Sequence, residues 1–252
     1  MKTIIKNIKG IYAIWYREFK VFTRERTRVI SSLIMPLMWY FIFGGGMGRV
    51  ASVGADYHHF IFPGFLVMMV IFSSLFNGAY IVWDKKIDFL KEVLIAPLSR
   101  TVIFFGKVAG CMTDALLQAM ILLIAGIIIR IPFTPISVLL TIIMLFFLAI
   151  GLVSMGLIMG SFMESPEAYG IISSAVVYPL FLLSGALYPL DKLPVWLKIL
   201  TRIDPASYAV DGLRDTILGV SALPYNINFL IVLAFDIVLV ITGTWAFNRM
   251  KL

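Results

Sequence analysis

Residues 60–83 read FIFPGFLVMMVIFSSLFNGAYIVW, a run without one charged side chain. A helix of about 20 mainly apolar residues crosses the hydrocarbon core of a bilayer, so this run is long enough to span. Five more stretches read the same way: 29–47 with Pro36 inside, 108–129 with Asp114, 133–163 with no charge at all, 168–187 with Pro179, and 227–247 with Asp236. The uncharged run at 133–163 exceeds the core thickness, which calls for a tilt or a start in the interface. Lipid offers the backbone no hydrogen-bond partner, and none of these runs alternates as membrane barrel strands do, so helices are expected. The fold class predicted is an all-α polytopic membrane protein with six transmembrane helices, in one domain over 1–252.

Composition agrees. The chain is 61% hydrophobic and 14% charged, against about 45–50% and about 25% in soluble domains. One core could not hide that much apolar side chain. The net charge of +7 does not point to nucleic acid, because the basic residues flank the spans, where they set topology and meet anionic lipid. With the N-terminus inside, 15 Lys and Arg fall on inner segments and six on outer ones, which places both termini in the cytoplasm. Lys2, Lys6 and Lys9 interrupt the first apolar residues, so no cleavable leader is read. Cys111 stands alone and excludes an intrachain disulfide.

Three segments outside the spans carry helical periodicity. In 4–26, Ile4, Ile8, Ile11, Trp15, Phe19 and Phe22 form one apolar stripe, with Ile5 and Tyr12 beside it. A single apolar face predicts an amphipathic helix lying in the interface. Residues 88–100 read DFLKEVLIAPLSR. Ile87, Leu90, Val93 and Leu94 take one side, Asp84, Lys85, Asp88, Lys91 and Glu92 the other, and Pro97 stops the helix. On the inner surface, such a segment over 84–100 is either a lipid-lying connector or a docking element for a cytoplasmic partner. Between spans five and six, 188–226 is too long for a plain turn. Asp204 is placed to cap a helix, Pro205 to occupy its first position and Gly219 to follow its end. Ala206, Ala209, Val210, Leu213 and Ile217 form its apolar stripe, opposite Asp211, Arg214 and Asp215. Outer helices over 188–218 are read as re-entrant elements or as a cap resting on the spans.

Motifs for chemistry on the chain itself are absent. Gly106-Lys107 has Thr101 and Val108 where a phosphate-binding loop needs Gly and Ser or Thr. His58 and His59 lack the further ligands of a metal site. Asp114, Gln118 and Asp236 are intramembrane polar groups, either for proton or cation handling or for joining helices. The first option describes an ion-coupled carrier or channel built on Asp114 and Asp236. Gly106 with Gly110, and Gly156 with Gly160, have the spacing for close helix packing. Phe72, Ser73, Asn77, Tyr80, Tyr178 and Phe181 either line a path for an amphiphile or pack the core.

Three stretches carry a family resemblance: FIFPGFL at 60–66, DFLKEVLIAPLSR at 88–100, and SGALYPLDKLPVWLKILTRIDPASYAVDGLRDTILG at 184–219. With them the chain resembles, over nearly its whole length, the membrane subunit of ABC-2 type exporters, which include daunorubicin-resistance and Nod-factor export permeases. The resemblance implies that ATP and Mg are bound by two copies of a separate cytoplasmic ABC ATPase, not by this chain, which is then no enzyme and holds no cofactor. It implies a second permease subunit, more simply an identical one, in a prokaryotic inner (plasma) membrane. Segment 84–100 becomes a coupling helix in which Asp88, Leu90, Lys91, Glu92, Leu94 and Pro97 meet the ATPase. Segment 4–26, with Arg17 and Glu18, becomes the connecting helix braced against it. Phe72, Ser73, Asn77, Tyr178 and Phe181 are then assigned to the translocation path, and Pro189, Pro194, Trp196, Pro205, Tyr208 and Arg214 to the outer gate.

Overall fold

A computed structural model describes residues 2–50, 56–87 and 98–250. These are helical, with no strand among them. The order is α1 (Lys2–Arg24), α2 (Arg26–Val50), α3 (Asp56–Asn77), α4 (Ala79–Lys86), α5 (Arg100–Ile128), α6 (Pro135–Phe162) and α7 (Pro166–Leu183). A 3-10 turn (Leu190–Lys192), α8 (Val195–Thr201) and α9 (Pro205–Leu218) then lead into α10 (Tyr225–Arg249). Among the described residues five segments are long and apolar enough to cross a membrane: Tyr57–Lys86, which joins α3 and α4, and the helices α5, α6, α7 and α10. The chain is a multi-pass membrane protein. The 25-residue α2, with Pro36 inside, covers the remaining expected span at 29–47.

Helix boundaries follow local chemistry. Ser99 precedes α5 and accepts from the Val102 amide. Thr134 and Ser137 form a reciprocal capping box around Pro135 at the start of α6, and Ser165 with Pro166 opens α7. The caps anticipated for α9 are present. Asp204 accepts from the Ala206 amide and Pro205 takes the first position. Gly219 ends the helix at φ 69, a left-handed turn that glycine adopts without a Cβ clash.

Helix α3 is the axis of the bundle. Ile61, Phe62, Phe65, Leu66, Met68, Met69 and Ile71 are all buried in one cluster with residues of α5, α6, α7 and α9. By contrast α7 and α10 turn Ile171, Ile172, Ile237 and Ile241 outward, the pattern of helices facing lipid. The run at 60–83 is not one helix, because α3 stops at Asn77 and α4 begins after Gly78. One of the small-residue motifs fits against the break. A Cβ at Gly156 would lie 3.1 Å from the Ser74 and Leu75 carbonyl oxygens, so α6 approaches the break backbone to backbone. The Tyr169 hydroxyl donates to the Leu75 carbonyl and, at 3.3 Å, to that of Gly156.

The glycines at 106 and 110 seat α1. A Cβ at Gly106 would meet Ile14 Cβ at 2.7 Å, and one at Gly110 would meet Glu18 Cβ at 2.5 Å. The face of α1 buried against protein is therefore Gly10, Ile14, Glu18 and Phe22. The predicted apolar stripe coincides with that face only in part: Ile4, Ile5, Ile8 and Tyr12 are exposed, Ile11, Trp15 and Phe19 half-buried and Phe22 buried. This is the arrangement an interfacial helix needs, since its apolar face meets lipid and its seat on the bundle can be small and polar. The adjacent histidines sit in the first turn of α3.

Candidate functional site

At the end of the bundle where α4 and α10 finish and α5 begins, basic residues are held by specific partners. The centre is a ring of four charges. Lys107 Nζ donates to Glu18 Oε1 at 2.7 Å and to Asp84 Oδ2. Arg17 donates to Glu18 Oε1 at 2.7 Å and to Asp84 Oδ1 at 3.0 Å. Each carboxylate touches both cations, so among the described residues the ring is closed and neutral. Lys107, Glu18 and Asp84 are buried, while the Arg17 side chain is about one-third exposed. Burial opposes the charge on Arg17, but the hydrogen bonds and charge of Asp84 and the charge of Glu18 outweigh it and raise its pKa. A buried charge is tolerated only when paired in this way.

The ring joins three helices: α1 through Arg17 and Glu18, α4 through Asp84, and α5 through Lys107. Nearby contacts extend it. Lys85, at the end of α4, donates to the carbonyls of Gly160, Ser161 and Met163, at 3.0, 2.6 and 3.2 Å. Those carbonyls lie at the C-terminal end of α6, where a cation is favoured. Arg100, at the start of α5, does the same for α10, reaching the Asn248 carbonyl at 3.0 Å and that of Met250 at 2.9 Å. Trp15 Nε1 donates to Thr113 Oγ1 at 3.0 Å and holds α1 along α5. Asp84 and Lys85 stand just before the segment 88–97, and Ser99 and Arg100 just after it. Both stems of that segment are thus fixed to the bundle and to α1.

The expected segment 84–100 is not a separate helix at its ends. Asp84 to Lys86 finish α4, and Arg100 begins α5. Asp88, Leu90, Lys91, Glu92, Leu94 and Pro97 lie outside the described residues. Arg17 and Glu18 do belong to the ring. Asp84, Lys85, Arg100 and Lys107 were not singled out for it. The signal available in the sequence was Lys107 itself, a lone cation in the apolar run VIFFGKVAG at 102–110, which requires a partner.

Comparison with known proteins identifies the family. Residues 9–218 match the family described as ABC-2 type transporter. The chain belongs to the ABC-2 type transporter family. Curated relatives point the same way. The inner membrane transport permease YadH of Escherichia coli K12 is 27% identical over 230 residues, covering 90% of each chain. A candidate transport permease, ycf38 of Cyanophora paradoxa, is 26% identical over 213 residues, 82% of this chain and 73% of its own. A candidate multidrug ABC transporter permease, YbhR of Escherichia coli K12, is 29% identical over 158 residues, 62% of this chain and 43% of its own.

Elsewhere in this ABC-2 chain the anticipated residues fall into separate sets. Phe72, Tyr178 and Phe181 come together between α3 and α7, with ring centroids 5.7 Å and 6.2 Å from Phe72. Asn77 points elsewhere, donating to the Cys111 carbonyl of α5 at 3.3 Å, and Ser73 is buried. The aromatic and polar members therefore do not share one lining. Tyr80, on α4, donates to Glu25 at 2.8 Å. Asp114 and Gln118 are buried on α5. Asp236 lies against Gly151 of α6, where a Cβ would collide with its carboxylate.

At the opposite end, Arg214 differs from its expected place on a polar face: it is buried. Its guanidinium donates to the Gly185, Ala186 and Phe60 carbonyls at 2.7, 3.3 and 3.3 Å, and lies 3.7 Å above the Phe60 ring. Burial lowers its pKa to about 10, so it stays charged at neutral pH. Pro189 and Pro194 precede the 3-10 turn and α8, and Pro205 is buried at the start of α9. The Tyr208 hydroxyl donates to the Arg202 carbonyl at 2.9 Å, and Trp196 is exposed. The predicted stripe of α9, Ala206 to Ile217, is buried.

Proposed function

We propose that this chain is the membrane-spanning permease subunit of an ATP-driven ABC exporter, with α2 as its sixth span and both termini in the cytoplasm. The observation that carries the reading is the charged ring, which ties α1 to both stems of 88–97. A push on that segment by a cytoplasmic ATPase would move α4, α5 and α1 together rather than bend a loop. Two ATPase copies bind and hydrolyse Mg-ATP, and a second permease subunit, more simply an identical one, completes the path. The outer helices α8 and α9 act as re-entrant elements that close the exit. The relatives' names, an inner membrane transport permease and a multidrug ABC permease candidate among them, support an inner-membrane exporter.

The cargo in this reading is amphipathic, drug-like or lipid- or glycolipid-like, because the cluster of Phe72, Tyr178 and Phe181 is aromatic and Tyr178 is exposed. The test is isolation of the chain from its native membrane in mild detergent, with its companions identified by mass spectrometry. A stoichiometric ATPase with a phosphate-binding loop is expected. A chain repeatedly alone, in preparations that keep other complexes intact, overturns the reading, and efflux of soluble polar cargo only overturns the cargo class. An ion-coupled carrier is the competing reading, but Asp236 has the enclosed setting of an acid that joins α10 to α6. Transport that survives without any ATPase and collapses in Asp114→Asn or Asp236→Asn would favour the carrier.

A further inference from the structure

A cavity of about 640 Å³ opens at the end of the bundle opposite the charged ring. That volume is in the range of small-molecule sites, about 300–1,000 Å³. Its wall is formed by α8, α9, the 3-10 turn and the loop before α10. Five of the lining residues are charged: Asp191, Lys198, Arg202, Asp211 and Arg214.

Two of these five are already engaged. Asp211 accepts from the Ala222 and Leu223 amides and from Asn228 Nδ2, at 2.8, 2.9 and 2.8 Å. Arg214 is committed to three carbonyls. Lys198 is half-buried and Arg202 exposed at the cavity, with Asp191 as the remaining acid among the lining residues. The free charge is net positive. The cavity also offers an acceptor. Asn228 is fully buried, and its amide orientation is fixed by donation to Asp211 and to the Leu223 carbonyl at 3.0 Å. Its Oδ1 then has no partner among the described residues. The ligand chemistry is therefore an anion that also carries a hydroxyl.

Helix α8 supplies the rest. One turn apart, Lys198 and Arg202 face the cavity, and Thr201 between them is buried. On the opposite side Val195, Trp196, Ile199, Leu200 and Ile203 are all exposed. A short helix with a large apolar face outward and cations toward a polar cavity has the geometry of an interfacial element. Hydrocarbon would lie along the apolar face, and a head group would turn inward past the two cations.

We propose that this cavity binds the anionic, hydroxyl-bearing head group of an amphiphile whose hydrocarbon lies along the apolar face of α8. Lys198 and Arg202 meet the anion, and Asn228 Oδ1 accepts from the hydroxyl. A phosphate diester with a glycerol group has this chemistry, as a bilayer lipid or as a free glycerol phosphate.

The test is photo-crosslinking of the full chain in phosphatidylcholine bilayers with a photoactivatable phosphatidylglycerol, the adducts being mapped by peptide mass spectrometry. Adducts are expected on residues 189–202, removed by excess phosphatidylglycerol but not by excess phosphatidylcholine. The double variant Lys198→Glu with Arg202→Glu, at one half-buried and one exposed position, should lower that labelling by about tenfold or more, while labelling elsewhere on the chain is unchanged. Competition by soluble glycerol phosphate would support the site with a free head group as its source. Failure of that competition would support the lipid as its source. Labelling of 189–202 that phosphatidylcholine competes equally, or that the double variant leaves unchanged, overturns the proposal. No nucleotide or ATPase enters the experiment, so its outcome is independent of the exporter reading.

Discussion

The two ends of the bundle are both charged, but they use charge differently. At the end with α4 and α5, Lys85 and Arg100 hold backbone carbonyls, but the centre is made of side chains paired with side chains: Arg17, Glu18, Asp84 and Lys107 close a ring across three helices. At the other end no ring of charged side chains forms among the described residues, and the charges chiefly serve the backbone. Arg214 holds carbonyls beyond the end of α7. Asp211 and Asp215 accept from the amides of Ala222, Leu223 and Tyr225, where α10 begins. A side-chain ring links elements that are rigid in themselves and can move as a group. Backbone-directed charges instead fix one loop geometry. The first suits a joint that transmits motion, and the second suits a plug with a defined shape.

The largest expected effect tests the ring. Lys107→Met leaves two buried carboxylates with only the partly exposed Arg17, and removing one partner of a buried ionic group costs about 3–5 kcal/mol. Thermal unfolding of the purified chain in detergent should show that loss, and an unchanged midpoint would mean the ring carries no weight. Next comes the plug. Arg214→Ala leaves carbonyls without their charged donor, at about 1.5–3 kcal/mol, and amide exchange should rise in 184–187 and in α9 while α1 stays protected. Exchange rising equally at both ends would erase the distinction drawn here.

A smaller effect addresses the seat of α1. Gly110→Ala forces Glu18 away from α5, an overpacking of about 1–3 kcal/mol, and protease accessibility of α1 should increase without change at α9. The smallest effect is one of pH. Burial raises the Asp204 carboxyl to about 7, against an ordinary 3.8, and the Ala206 amide only partly opposes this. The folded state therefore holds the proton that the unfolded state has released. This contribution is full below about pH 4 and is lost as pH rises to about 7. Asp204→Asn keeps the cap and removes the charge, so its unfolding midpoint should vary less with pH over that window. An identical pH profile in parent and variant would show that Asp204 does not titrate there.

Much of this was legible in the sequence because it is local. Apolar length marks the spans, the spacing of Ala206 to Ile217 marks the buried face of α9, and Asp204, Pro205 and Gly219 mark its ends. The glycine pairs at 106 and 110 and at 156 and 160 announce close approach, though not by which neighbour. The ring was not legible, because Glu18 and Lys107 are 89 residues apart and Lys107 and Asp84 are 23 apart, with no shared pattern. Arg17 reads as an ordinary polar-face residue until α5 is packed beside it. Arg214 was misplaced for a related reason. Helical periodicity assigns a charge to the wet side, whereas three backbone carbonyls from α3 and the turn after α7 provide for it inside. In α1 the helical period is legible but not the face that packs: Gly10, Ile14, Glu18 and Phe22 are buried against protein, while Ile4, Ile5, Ile8 and Tyr12 are exposed.

The central claim is that the ring is the joint between the ATPase-facing segment and the spans. The direct measurement is the ratio of ATP hydrolysed to cargo moved by the purified permease–ATPase complex carrying Arg17→Gln, a change at the most exposed member of the ring. The account predicts an intact complex that still hydrolyses ATP but moves less cargo for each ATP consumed. A ratio equal to that of the parent complex would contradict it.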